Sequence, residues 1–162
     1  MSENWSETTK VQRAAVILGL GGLLPFWALP IIQVVDTGMT QALGQVIAVY
    51  GAIICSFMGG TRWGLAMRTP EEGPFAGLLG SVIPPLLGWA VVSAPVVGVS
   101  ALDDPKKQLL LIVALLAYQL LEDWRSARKD LISGWYIRLR MTLVTGVTTP
   151  IILTLLIASV TR

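Results

Sequence analysis

Residues 75–94 read Phe-Ala-Gly-Leu-Leu-Gly-Ser-Val-Ile-Pro-Pro-Leu-Leu-Gly-Trp-Ala-Val-Val-Ser-Ala. The stretch carries no charge, and Ser81 and Ser93 are its polar side chains. A helix on the surface of a soluble protein shows a polar face at the 3.6-residue period, and this one has nothing to show water. About 20 mostly apolar residues make a helix long enough to cross the hydrocarbon core of a bilayer. The stretch therefore reads as a membrane span.

Working outward, four more apolar runs flank it. The five spans lie at about 14–35, 44–63, 75–94, 105–122 and 138–160. Connections are short, so the expected fold is a single all-α membrane domain over residues 1–162, a bundle of five transmembrane helices. The first apolar run is about 22 residues long, beyond the 7–15 of a signal-peptide core, and is expected to stay as the first span. Composition agrees: 54% of the 162 residues are apolar and 14% charged, against about 25% charged in soluble domains, and the mean hydropathy is +0.69.

Composition also narrows the chemistry. There is no histidine, which removes His-ligated haem, the common zinc sites and His-assisted nucleophiles. A single cysteine, Cys55, makes neither an internal disulfide nor a metal cluster. A net charge of +2 gives no basic footprint for nucleic acid. The expectation is no catalytic residue, no metal and no cofactor.

Basic residues set the expected orientation. Of the twelve Lys and Arg, nine fall on one face: Lys10, Arg13, Arg62, Arg68, Arg125, Arg128, Lys129, Arg138 and Arg140. Lys106, Lys107 and Arg162 fall on the other. Short loops rich in Lys and Arg stay in the cytoplasm, so the N-terminus is expected inside and the C-terminus outside. Trp63, Trp124, Trp135 and Tyr136 fall at the inner interface, where aromatic anchors sit.

Punctuation within the spans is informative. Pro25, Pro30, Pro84, Pro85 and Pro150 each remove a helix donor, and the carbonyl so freed must be covered by protein or water at membrane depth. Asp104-Pro105 has the chemistry of a helix cap followed by a first helical residue. Span two carries small residues every fourth position: Gly44, Ala48, Ala52, Ser56, Gly60 and Gly64, beside a second row of Gly51, Cys55 and Gly59. Small side chains let membrane helices approach closely, so the first row is expected to be a helix-packing face.

One polar cluster stands out. Arg62 follows the apolar run of span two, and Glu122-Asp123 follow that of span four. A charge at such depth needs a partner or must snorkel, so Arg62 and Asp123 are expected to form a structural ion pair, covered by Trp63 and Trp135. Arg125, Arg128, Lys129, Arg138 and Arg140 are expected to meet lipid headgroups or a partner.

Tyr50-Gly51-Ala52 with Ser56-Phe57-Met58-Gly59-Gly60-Thr61-Arg62-Trp63-Gly64, and Asp123 with Trp135-Tyr136-Ile137-Arg138-Leu139-Arg140, resemble two signatures of the domain-of-unknown-function family 3429, which extends to a mitochondrial transmembrane protein of animals. The resemblance runs from span one to span five. It implies a small multi-pass protein of bacterial and mitochondrial inner membranes and brings no activity with it. The function expected is a non-catalytic accessory or assembly subunit of a larger inner-membrane complex, respiratory or photosynthetic, in the bacterial cytoplasmic membrane. The alternative is a small lipid- or quinone-binding protein. A transporter has only the proline breaks in its favour.

Overall fold

A computed structural model describes residues 2–68 and 74–160. Six α-helices follow in order: α1 (Ser2–Gly21), α2 (Leu24–Val35), α3 (Thr40–Arg68), α4 (Pro74–Ser93), α5 (Pro105–Ala127) and α6 (Gly134–Val160). Two single 3-10 turns, Thr37–Met39 and Ser100–Leu102, lie in the connections. No strand occurs among the described residues.

The expected first span is two helices. Pro25 has no N–H to give the carbonyl four residues back, and the chain tightens there: Leu23 N–H donates to Leu20 O and Phe26 N–H to Leu23 O, both at 3.0 Å. That leaves the Gly22 carbonyl free, and the Tyr50 hydroxyl of α3 donates to it at 3.0 Å. One carbonyl of the break is thus covered by protein, as membrane depth requires. Pro84, Pro85 and Pro150 stay inside continuous helices. Pro84 and Pro150 are fully buried, while Pro85 packs on Gly59 of α3.

The helices alternate in direction. α4 runs antiparallel to α3, since Gly77 meets Ala66, Gly59 meets Ser81 and Pro85, and Gly88 meets Ala52 and Cys55. α5 runs parallel to α3: Gly44 faces Pro105, Gly51 faces Ile112, and Arg62 reaches Asp123. α6 runs alongside α1 and α2, with Leu143 against Gly19 and Leu23 against Gly146. The shared core comprises Phe26 and Leu29 of α2, Ile47, Ala48, Ala52 and Cys55 of α3, Leu109, Ile112 and Leu116 of α5, and Val147 and Ile151 of α6.

Many large apolar side chains face outward. Leu18, Leu24, Val34, Phe57, Trp89 and Leu156 all stand outward. A water-soluble monomer rarely exposes contiguous apolar area on that scale. Four segments are long and apolar enough to cross a membrane: Thr9–Val35, Thr40–Arg68, Phe75–Ser93 and Gly134–Ile157. The chain is an all-α, multi-pass membrane protein. α5 differs from those four because charges sit at both its ends: Lys106 and Lys107 at one, Glu122, Asp123 and Arg125 at the other.

α5 begins as its sequence predicts. The Asp104 carboxylate accepts from Lys106 N–H at 2.9 Å, and Pro105 occupies the first turn. It ends in a turn where Asp130 takes a φ of 57° and Leu131 N–H returns to Ser126 O at 3.1 Å. That reversal brings the start of α6 back beside the charged end of α5.

The packing row on α3 departs from expectation. Gly44, Ala48 and Ala52 are buried, but Ser56 and Gly60 are exposed and Gly64 half-exposed. A Cβ at Gly60 or Gly64 would meet nothing within 4 Å. Four residues turn a helix through about 400°, so a strict every-fourth row drifts by about 40° per step. Five steps from Gly44 to Gly64 carry it to the far side. The close contact passes to the second row, where a Cβ at Gly51 would stand 2.6 Å from Ile112 Cγ2, and one at Gly59 2.5 Å from the Ser81 carbonyl oxygen.

Candidate functional site: a buried charge cluster at one end of the bundle

Three helices bring charge to the same end. On α5, Pro105, Gln108, Leu109, Ile112, Leu116, Gln119 and Asp123 are buried, a spacing of three and four that defines one face. Asp123 is the last member of that face. On α6, Arg140, Val144, Val147 and Ile151 make the corresponding buried stripe. On α3, Arg62 lies one turn beyond the buried pair Met58-Gly59.

Asp123 is the hub. Arg62 Nη1 donates to its Oδ1 at 3.0 Å, and Arg140 Nε donates to its Oδ2 at 2.6 Å. The Asp123 and Arg140 side chains are each 3% exposed and that of Arg62 is 13% exposed. Glu122, one residue earlier, faces Arg62 Nη2 at 3.5 Å and also binds Arg125 Nη1. Each carboxylate thus serves two arginines, and Asp123 ties α3, α5 and α6 together. Charge-assisted hydrogen bonds of this kind are about twice as strong as neutral ones, and each buried guanidinium needs its carboxylate.

The structure brings Arg62 and Asp123 together and adds a third member. Arg140, expected at lipid headgroups, is instead buried in the cluster. It stands on the stripe it shares with Val144, Val147 and Ile151, and that three-and-four spacing was the signal for it. Arg138, two residues earlier, is exposed. Arg125, Arg128 and Lys129 are exposed at the end of α5. The Arg128 guanidinium lies 4.8 Å above the Trp124 ring.

The aromatic residues divide. Trp135 and Tyr136 line a cleft of about 420 Å³ with Arg62 and Asp123. The Tyr136 hydroxyl donates to Thr61 Oγ1 at 3.4 Å, and Thr61 donates to Met58 O at 2.7 Å. Trp63 does not cover the pair; it is 40% exposed, because the position after Arg62 turns about 100° away on the helix. Trp124 likewise faces out.

One turn deeper, Gln119 Nε2 donates to the Cys55 carbonyl at 3.0 Å. This buried bond between α5 and α3 continues the polar face of α5 inward from Asp123. Among the described residues, no three His, Cys, Asp or Glu side chains come together in a way that could hold a metal ion.

Residues 11–156 match the family described as "Protein of unknown function (DUF3429)". Transmembrane protein 69 of Xenopus tropicalis is 37% identical over 79 residues, which is 48% of this chain and 31% of that protein. Transmembrane protein 69 of Mus musculus is 33% identical over 82 residues, 49% of this chain and 34% of that protein. The matched stretch spans about a third of the length of these curated relatives. No solved structure matches. The family match runs from α1 to α6 and takes in Arg62, Asp123 and Arg140, and on that span the chain belongs to the DUF3429 family.

Proposed function

We propose that the protein is a non-catalytic accessory or assembly subunit of a larger membrane complex, respiratory or photosynthetic in kind, in the bacterial inner membrane. The observation that carries this reading is the outward row on α3. Ser56 and Gly60 are exposed, and a Cβ placed at Gly60 or Gly64 would meet no neighbouring helix within 4 Å. Glycine within a helix costs about 1 kcal/mol relative to alanine, and a lipid-facing site gives nothing in return. Small residues four apart are how membrane helices seat against one another, so a helix of another subunit fits this row.

The cluster supports the non-catalytic part of the reading. Both oxygens of Asp123 are taken by guanidinium donors, which suits a structural tie better than a proton acceptor. In this reading α1 with α2, and each of α3, α4, α5 and α6, cross the membrane, α5 included, since its residues 108–121 carry no charge. The N-terminus is cytoplasmic and the C-terminus outside. Reporter fusions after residues 40, 70, 103, 132 and 162 then alternate, beginning outside.

The test extracts the full chain from its native membrane in mild detergent and sizes it. The wild-type protein should run in an assembly well above its own 17.4 kDa. Gly60→Leu with Gly64→Leu should return it to its own size while its thermal unfolding in detergent stays unchanged. A double variant that keeps the large assembly defeats the reading.

A further inference from the structure

We infer that the cleft between the charged ends of α3 and α5 and the start of α4 binds the phosphate of an anionic phospholipid, with an acyl chain along its apolar floor. The cleft holds about 590 Å³. Its walls bring together Arg62 of α3 and Arg125, Arg128 and Lys129 from the end of α5 and the turn after it, against one acidic residue among the described residues, Glu122. Leu65 of α3 and Ala76, Gly77 and Gly80 of α4 make the apolar part.

Three observations point to a ligand here. First, Arg62 Nε is buried and has no protein partner, although the other guanidinium nitrogens of Arg62 hold Asp123 and Glu122. A buried donor left over beside a cleft is a place for an acceptor. Second, the rim guanidiniums are already positioned. Arg125 is held by Glu122, and Arg128 lies on the Trp124 ring. Holding them costs the bound anion less ordering entropy, and the arginine fork matches phosphate oxygens. Third, the floor is open where a tail would run, since a Cβ at Gly80 meets nothing within 4 Å.

The amphipathic lining selects the source of the phosphate. A free phosphate has no use for Leu65 and Gly80, whereas a phospholipid places its headgroup at the depth of an interfacial tryptophan and its chain below. Basic pockets between membrane helices are suited to acidic headgroups for this reason. Glu122 does not oppose the ligand, because Arg62 and Arg125 both face its carboxylate. The cleft does not include Gly60 or Gly64, so this inference stands apart from the subunit reading.

The test is native mass spectrometry of the full chain from micelles containing equal phosphatidylglycerol and phosphatidylcholine. Wild-type protein should retain phosphatidylglycerol selectively. Arg125→Gln with Arg128→Gln should lower that retention by about tenfold or more. Gly80→Leu should lower it too, by filling the floor with every charge in place. Arg138→Gln removes the same kind of charge at the same end but outside the cleft, and should leave retention unchanged. Unfolding in lipid-free detergent checks that each variant is folded. Equal loss in Arg138→Gln, equal retention of phosphatidylcholine, or displacement of the lipid by millimolar inorganic phosphate would each overturn the inference.

Discussion

The contact between α3 and α5 is made in two different ways along its length. Near the start of both helices it is a contact of hydrogens and methyls: Gly44 against Pro105, then Gly51 against Ile112. Near their ends it is guanidinium against carboxylate, with Arg62 on Asp123 and Arg140 closing the other oxygen. A bilayer gives helices no hydrophobic reason to associate, so dispersion at close range and buried polar bonds must do it. The first half uses the absence of side chains, and the second half uses charges that have no other partner at that depth. The halves therefore differ in how they fail. A glycine contact fails by a clash that neighbours can partly absorb, whereas a charge network fails by leaving an ion buried.

The largest expected effect follows from the second half. Asp123→Ala takes the carboxylate from Arg62 and Arg140 at once, and the Arg140 side chain is 3% exposed. Stranding a buried charge costs about 3–5 kcal/mol, readable as a loss of stability against denaturant in detergent. A loss under about 1 kcal/mol, the range of an exposed pair, would erase the distinction between the halves. A second measurement sharpens it. For a simple pair, Arg62→Asp with Asp123→Arg would recover stability. Here the new arginine would face Arg140, so the double swap should recover none. Replacing all three residues by Met, Leu and Met should recover most of it, since buried ion networks give way readily to well-packed apolar groups.

The middle effect comes from two neighbouring glycines. Gly59→Ala drives a methyl to 2.5 Å from the Ser81 carbonyl oxygen and 2.6 Å from Pro85 Cγ. A carbonyl in a continuous helix cannot step aside as a side-chain tip can, so overpacking should cost about 1–3 kcal/mol. Gly60→Ala meets open space and should lose nothing in the isolated protein, gaining up to about 1 kcal/mol from the helix cost of glycine. Thermal unfolding of the two purified variants checks this directly. Equal sensitivity would mean that the outward row on α3 is not outward.

How much of this was legible varies with the physical signal. Arg62 and Asp123 could be paired from sequence because each follows an apolar run, and membrane depth leaves a charge few choices. Arg140 was hidden among Trp135, Tyr136 and Arg138, where counting basic residues for topology outweighed their helical phase. Its place on the stripe of Val144, Val147 and Ile151 was nonetheless readable. The row from Gly44 to Gly64 was over-read: the four-residue spacing is real, but over five turns its drift matters more than its regularity. The start of α1 at Ser2, well before the apolar edge at residue 14, was not readable from hydropathy. Hydropathy marks where lipid begins, while a helix continues for as long as its backbone bonds do.

The smallest effect tests where one half of the α3–α5 contact gives way to the other. Gln119 lies between Leu116 and Asp123 on the buried face of α5, and its Nε2 donates to the Cys55 carbonyl at 3.0 Å. Cys55 sits inside the continuous helix α3, so its carbonyl also takes the N–H four residues on, and losing Gln119 orphans nothing there. Gln119 Oε1 is itself buried without a partner. Gln119→Leu therefore gives up one interhelical hydrogen bond, worth about 0.6 kcal/mol on average between membrane helices, and removes one unsatisfied acceptor. The two nearly offset, so the variant should unfold within about 1 kcal/mol of wild type. A loss of about 2 kcal/mol or more would show that the polar network reaches down to Gln119. The boundary between the halves would then lie a full turn deeper in the bundle than Asp123 puts it.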